Sequence, residues 1–429
     1  MTGKNGRYML ISADTHAGPP VKDLKQYFEK KHWRAFDEYV EEREVQKAGV
    51  RAAAAQTMSG GPSMPEERIK AWMAHESLQP GGHPGLSEPA RRMRDLDADG
   101  VVGEVIFPDF PHIVSNEPPF GTVTGGRKLG GGINQRSREL YDPELVWAGA
   151  RAYNRWLADF CSTEPARRAG MAIMPLFDID AAVSEIRWAH KVGLRGGILL
   201  PGMTPELPGY NDASYEPIWS VCEDLGMPLN THSGNEVPDY GTGPDATLLL
   251  GTEVMFFSHR PLWWLMWGGV FERHPGLNLI FTEQMADWVP STLSDLEEKI
   301  SGQFRQMSGL KFSLSPRGYW KRQCFVGATF MSPAEAKMRD EIGIDTIMWG
   351  SDYPHIEGSW PKTKESLQYA YAGIPRDDVQ RMVGENAARA YHFDVKKLLP
   401  IVERIGPTED DIAEPLAEIP KDYIGAAFR

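Results

Sequence analysis

Short apolar, β-branched runs alternate along this chain with longer stretches whose apolar residues recur at helical spacing. Continuous apolar runs belong to strands buried on both faces, and the spaced pattern to helices that cover them. Their alternation marks an α/β protein with a parallel sheet. Eight runs read as strands: YMLISAD (8–14), VVGEVIF (101–107), GMAIMPL (170–176), GGILLP (196–201), MPLNTH (227–232), LNLIFTE (277–283), CFVGATF (324–330) and DTIMWGSD (345–352). Helical spacing with few breakers fills 179–192, 215–225, 288–307 and 333–341. Several strands open just after a Gly-containing helix stop, at Asp99-Gly100, Val192-Gly193 and Leu225-Gly226,. Eight βα units within one domain's length predict a closed (β/α)8 TIM barrel over an open doubly wound sheet.

The spacing is uneven. Roughly 85 residues separate the first two strands, where one helix would suffice,. This insertion, about 20–95, holds a charged helical stretch (23–47), an Ala/Gly-rich patch (49–65) and the loop QPGGHPGLSEP. A second insertion, 109–134, is rich in Gly and Pro and follows a strand end, where barrel loops build active sites,. The division predicted is a barrel domain over 1–395 and an extension over 396–429 that packs on the barrel or on a neighbouring subunit.

Charge and cysteine content narrow the class. Acidic residues outnumber basic ones 59 to 46, giving a formal charge of -13. Phosphate binding needs clustered Lys and Arg, so nucleic acid and anionic membranes are excluded as expected partners. The three cysteines, Cys161, Cys222 and Cys324, match neither a disulfide framework nor a Cys-x-x-Cys zinc motif,. The N-terminus lacks a signal-peptide pattern, and the most apolar segment, 262–270, is too short to span a bilayer,. A cytoplasmic enzyme of a small-molecule substrate is the expectation.

Candidate chemistry lies where acidic and histidine residues meet strand ends. Asp14 and His16 close the first strand in SADTHAG, His232 the fifth in NTHSG, Glu283 the sixth in FTEQMADW, and Asp352 the eighth in WGSDYPH. Side chains two apart on an extended segment face the same way, so Asp14 and His16 can reach one ion. The strand C-termini of a parallel barrel share one mouth, which makes these distant residues neighbours. Taken singly, an Asp after a strand is commonly a helix N-cap, and a lone His is commonly a packing residue. Four strand ends each carrying a ligand type is the coincidence that favours a metal site. Imidazole plus carboxylate suits Zn²⁺, Mn²⁺ or Fe²⁺, one or two per chain. Phe107, Phe110, Phe120 and Trp288 are candidates for an aromatic substrate wall, and Arg127 or Lys128 for pairing with a substrate carboxylate.

D-x-H on the first strand, His on the fifth and SDYPH on the eighth resemble the amidohydrolase-related metal-dependent hydrolases, the "amidohydrolase 2" group. That group includes aminocarboxymuconate-semialdehyde decarboxylase and γ-resorcylate decarboxylase. GGVFERHPGLNLIFTE before strand six and WGSDYPHIEGSWP around strand eight are similar to the group's patterns, and the resemblance spans roughly 8–395, inserts excepted. It implies an amidohydrolase-like barrel whose metal ligands are Asp14, His16, His232 and Asp352, with Asp352 also the general base. One departure stands out: strand six carries Glu283 where the family often has a His. A carboxylate there can bind or bridge a second cation, with His355 or His259 as the extra imidazole, and Glu283 and His355 join Asp352 as catalytic candidates.

The leading expectation is therefore a metal-dependent hydrolase or decarboxylase. A dinuclear Fe or Mn/Fe oxygenase on the same fold is the alternative, and a catalytically silent metal-binding subunit is the third. Homo-oligomer is the default for such a barrel, with a hetero-oligomer with a paralogous chain as the variant. FFSHRPLWWLMW (256–267) is the segment proposed for a subunit interface.

Overall fold

The computed structural model describes residues 6–43, 74–76, 82–109, 118–121, 127–129, 136–203, 207–234, 237–238, 240, 245–329, 331–423 and 425–429. Its centre is a ring of eight parallel strands. These are β1 (Leu10–Ala17), β2 (Val101–Pro108), β3 in two pieces (Arg168–Gly170 and Ala172–Ile173), β4 (Ile198–Leu199), β5 (Leu229–His232), β6 (Leu279–Thr282), β7 (Cys324–Ala328) and β8 (Ile347–Trp349). The first piece of β3 pairs with β2 and the second with β4. Met171 between them donates its N–H to the Ile106 carbonyl at 2.9 Å, so the two pieces are one strand. The ring closes between β8 and β1: Asp352 N–H donates to the Asp14 carbonyl at 2.9 Å, and His16 N–H to the Tyr353 carbonyl at 2.7 Å.

Sterics of the closed ring separate two apolar clusters. Met9, Ile11, Ala13, Val105, Phe107, Met171, Ile280, Phe325 and Met348 fill the interior. Outward residues such as Leu10, Ile106, Ile173, Leu229, Phe281 and Val326 pack under the helices. The helices of the chain include α1 (Pro89–Ala98), α2 (Pro143–Ser162), α3 (Ile179–Lys191), α4 (Glu216–Leu225), α5 (Trp288–Ser301), α6 (Thr363–Tyr371) and, packed on the interior cluster instead, α7 (Val395–Ile405). Local chemistry sets their ends: Asp142 caps α2 by accepting from Glu144 N–H, Asp178 caps α3 by accepting from Ala181 N–H, and Gly226 ends α4 at φ 63°,. Leu398 and Val402 of α7 join the interior cluster, and Tyr8 N–H bonds to the Pro407 carbonyl at 2.8 Å. The segment 398–407 thus covers the end of the barrel where the strands begin.

Three predicted helices are divided, among them 333–341, which breaks at Met338 between Pro333–Lys337 and Arg339–Ile342. The stretch 288–307 breaks at Gly302, whose extended backbone separates α5 from a short helix, Gln303–Ser308. The stretch 23–47 starts as a 3-10 turn, Val21–Tyr27, and continues as a helix over 33–43. Phe28 is extended between them, and its ring packs tilted against Phe36 and edge-on against Phe120. In the second insertion, predicted as loop, Arg127–Leu129 is a strand that pairs antiparallel with Arg136–Leu140 just beyond the insertion. In the 256–267 segment Phe256 is exposed, while Trp263, Trp264 and Trp267 pack partly buried on the outer core. All three cysteines are buried and free, and no helix among the described residues is long and apolar enough to cross a membrane.

Candidate metal centre

The D-x-H pair reaches the barrel interior through a bulge. Ser12 lies opposite Glu104 and Thr15 opposite Ile106, so Ala13 and Asp14 together face the single residue Val105,. With Ile11 and Ala13 inward and Thr15 outward, the extra residue allows both Asp14 and His16 to face the mouth. The bulge's loose polar ends are satisfied locally. Ser12 hydroxyl donates to the Asp14 carbonyl at 2.6 Å, and Thr15 hydroxyl to the Val105 carbonyl at 2.7 Å.

Asp14 Oδ2 accepts the Thr329 hydroxyl at 2.6 Å, which leaves Oδ1 facing His16 Nε2 at 3.4 Å and His232 Nε2 at 3.6 Å. His16 Nδ1 lies 3.4 Å from the Pro108 carbonyl and His232 Nδ1 3.1 Å from the Ser233 carbonyl. Tying Nδ1 to a carbonyl presents Nε2 inward, which is how metal-ligating imidazoles are oriented. Asp352 Oδ1 stands 3.2 Å from His16 Nε2 and 2.9 Å from His355 Nδ1, while His355 Nε2 meets Asp109 Oδ2 at 3.3 Å. Gly350 permits this approach, since a Cβ there would lie 2.7 Å from Asp14 Cβ.

Burial alone would raise the Asp14 carboxyl, yet the adjacent imidazoles of His16 and His232 hold it far below the usual range. Desolvation and the neighbouring His355 oppose charge on His16, but Asp14 and Asp352 push it up to about 9. Asp14 Oδ1, His16 Nε2, His232 Nε2 and both Asp352 oxygens are buried without a hydrogen-bond partner. Orphaned buried atoms of mixed carboxylate and imidazole type, converging on one point, fit a divalent cation.

Among the described residues, three donor groups have ligand atoms within 4.8 Å of one another: Asp14/His16/His232, His16/Asp352/His355 and Glu283/Asp352/Glu357. Glu283 Oε2 accepts the Ser233 hydroxyl and lies 3.4 Å from His232 Nδ1. Burial pushes its carboxyl up against the pull of His232, and the Asp352 and Asp14 charges push it further. Asp352 and Glu283 both hold left-handed backbone at φ 54° and 56°, uncommon for non-Gly residues and frequent at functional sites,.

The structure does not bring every predicted residue to this point. His259 joins no donor group among the described residues; its ring stacks on Trp288 at 3.8 Å, and burial lowers its pKa to about 4. Trp288 is taken up by this stack and by Phe281, 5.3 Å away, in the outer core. Phe107 does reach the site, its ring 4.8 Å from His232. Phe120 packs with Phe28 and Tyr39. Phe110 and the side chains of Arg127 and Lys128 lie outside the described residues. Sequence reasoning missed Thr329, Asp109, Ser233 and Glu357. Only Asp109 and Glu357 carried a signal, as acids beside a strand end and in the SDYPH turn.

A parallel (β/α)8 barrel with a buried carboxylate–imidazole centre at its strand ends is the class of protein these features define. The chain belongs to the amidohydrolase family, whose model matches residues 136–393, more than half its length. It is 27% identical to a γ-resorcylate decarboxylase of Rhizobium sp. over 225 residues, covering 48% of this chain and 65% of that one. The matched stretch thus spans less than two thirds of that relative. A γ-resorcylate decarboxylase of Rhodococcus jostii is 26% identical over 265 residues, 57% of this chain and 77% of that one. Among solved structures, 5-carboxyvanillate decarboxylase from Sphingomonas paucimobilis aligns with TM-score 0.60 at 18% identity, covering 90% of this chain and 99% of that one. Dihydroxybenzoic acid decarboxylase from Polaromonas sp., solved with manganese and 2-nitroresorcinol, aligns with TM-score 0.55 at 16% identity, covering 90% and 97%.

Proposed function

We propose that this chain is a divalent-metal-dependent decarboxylase of a small hydroxylated aromatic carboxylate. The observation that carries the reading is the convergence of Asp14, His16, His232 and Asp352, with five buried atoms that lack partners. The decarboxylase relatives and the manganese in one of them support the reaction class and the metal. Asp14, His16, His232 and Asp352 would hold the ion. When bound, it supplies a Lewis acid for a substrate carboxylate and its neighbouring oxygen.

The side chains then have separate tasks. Phe107, against His232, offers an apolar wall for a ring. Asp352 exchanges a proton with His355 Nδ1 at 2.9 Å, and His355 reaches Asp109 at 3.3 Å on the more exposed side. As the carbon–carboxylate bond breaks, its electron pair stays on the ring carbon, which takes a proton from Asp352; carbon dioxide leaves, and His355 restores the proton. In hydrolysis at the same centre, Asp352 or Glu283 would accept a proton from water instead.

The test is carbon dioxide release from dihydroxybenzoates and carboxyvanillate by the manganese-loaded protein, with oxygen uptake followed alongside. Asp352→Asn should lower kcat by about 10²–10⁴-fold while leaving the circular dichroism unchanged. Unchanged turnover in that variant would overturn the assignment. Oxygen consumption coupled to substrate loss would replace it with the oxygenase reading, which Glu283 in place of an imidazole favours.

A further inference from the structure

We propose that residues 423–429 brace the mouth of the barrel from outside, with Tyr423 as a positioning residue for Asp352 and His355. The inference rests on the reading of Asp14, His16, His232 and Asp352 as a metal centre, and adds residues that this reading does not use.

Asp352 and His355 stand on a tight turn. His355 N–H donates to the Asp352 carbonyl at 2.8 Å, Gly358 N–H to the His355 carbonyl at 3.2 Å, and Ser359 N–H to the Ser351 carbonyl at 2.9 Å. Gly358 lets the turn fold this closely, since a Cβ there would lie 2.5 Å from the Ser351 carbonyl oxygen. Asp352 itself holds left-handed backbone at φ 54°, which persists only where the surrounding structure fixes it,. The segment 423–429 supplies part of that fixing. Tyr423 hydroxyl lies 3.0 Å from the Glu357 carbonyl and 2.8 Å from the Gly358 carbonyl, and accepts Ala427 N–H at 2.8 Å. Ala426 N–H donates to the Glu357 carbonyl at 3.0 Å. At Gly425 the backbone is seated directly on the turn, since a Cβ there would lie 2.6 Å from the Ile356 carbonyl oxygen.

The same segment reaches the turn after β6. Phe428 is buried against Tyr423, its ring 4.6 Å away, and packs with Met285, two residues past Glu283. Arg429 pairs with Glu335, whose other oxygen accepts Ala286 N–H at 2.9 Å. One short segment thus holds both turns that carry acidic residues of the mouth. None of its side chains joins a donor group among the described residues, so it acts on Asp352 and His355 through the backbone of their turn. Placement matters there, because shifting a reacting group by about 1 Å can cost about 10²-fold in rate.

The experiment compares wild type with Tyr423→Phe, which keeps the ring against Phe428 and removes the hydroxyl. Metal-free protein is titrated with Mn²⁺ alone, the electron paramagnetic resonance spectrum is recorded, and carbon dioxide release from a dihydroxybenzoate is then measured. Tyr423→Phe should alter the spectrum and weaken Mn²⁺ binding by about tenfold. It should also lower kcat by about 10–100-fold with KM unchanged. Arg404→Ala, which removes an exposed ion pair with Asp97 at 2.6 Å, should leave spectrum, affinity and kcat at wild-type values. Circular dichroism confirms the fold of each. An unchanged spectrum and affinity in Tyr423→Phe overturn the brace, even where stability falls, and leave the metal centre standing. If wild type binds Mn²⁺ but releases no carbon dioxide, the decarboxylase reading falls and the spectrum still decides the brace. A wild type that binds no Mn²⁺ overturns the centre and the brace with it.

Discussion

Thr329 donates its hydroxyl to Asp14 Oδ2 at 2.6 Å in a fully buried setting. That single bond decides which Asp14 oxygen faces the imidazoles. Thr329→Val keeps the shape and removes the donor, so it should cost about 1.5–3 kcal/mol. It should also weaken metal binding by about 10–100-fold. A competition assay with a chelating dye reads the second effect, and unchanged affinity would show that Thr329 has no orienting role. Residue by residue, the convergence of Asp14, His16, His232 and Asp352 was legible because carboxylate and imidazole side chains recur at strand ends that share one mouth. Thr329 was not, because a hydroxyl after a strand says nothing until its partner, 315 positions away, is known. His259 and Trp288 carried suggestive side chains, but packing them on each other satisfies the core.

Elements place these residues, and two local features matter most. The bulge at Ala13-Asp14 turns a strand pattern that alternates cleanly up to Ala13 into one where Asp14 and His16 share the mouth. The other feature is Asp99, at the C-terminal end of α1, where a helix dipole disfavours negative charge,. Burial, with Glu365 and Asp95 nearby, pushes its carboxyl up to about 7 despite the Thr363 hydroxyl bond. A carboxyl raised on folding stabilises most below the ordinary carboxylate pKa of about 4, and loses that contribution as pH rises toward 7,. Asp99→Asn should remove this slope, gaining on the wild type by at most about 1.4 kcal/mol per pH unit between those limits. Urea unfolding at pH 5 and pH 8 measures it, and parallel stability curves would refute the shift.

Across the whole molecule, closure of the ring and a buried charge network hold the mouth together. Glu104 on β2 accepts from Arg92 of α1 at 2.7–3.0 Å and from Arg168 of β3 at 3.2 Å, all three side chains fully buried. Arg92 also donates to the His16 carbonyl at 2.7 Å, linking the network to the candidate ligand strand. Glu104→Gln would leave two guanidinium groups without a buried counter-charge, and should destabilise by about 3–5 kcal/mol. The midpoint of urea denaturation checks this; a loss below about 1 kcal/mol would mean that water or backbone carbonyls compensate the arginines. Neither this triad nor the anchoring of the Glu357 turn by Tyr423 has a periodic signature in the chain.

By itself the sequence determined the strands, their order and the ends that carry carboxylate and imidazole side chains. Each of these is a property of local pattern, and apolar periodicity reports burial wherever the chain is placed. Tertiary structure alone decided which of those side chains meet. The bulge, the ring closure from β8 to β1 and the contacts of Thr329, Asp109 and Glu357 depend on pairings between segments far apart in the chain. Such pairings are set by packing in three dimensions, and one-dimensional spacing does not encode them.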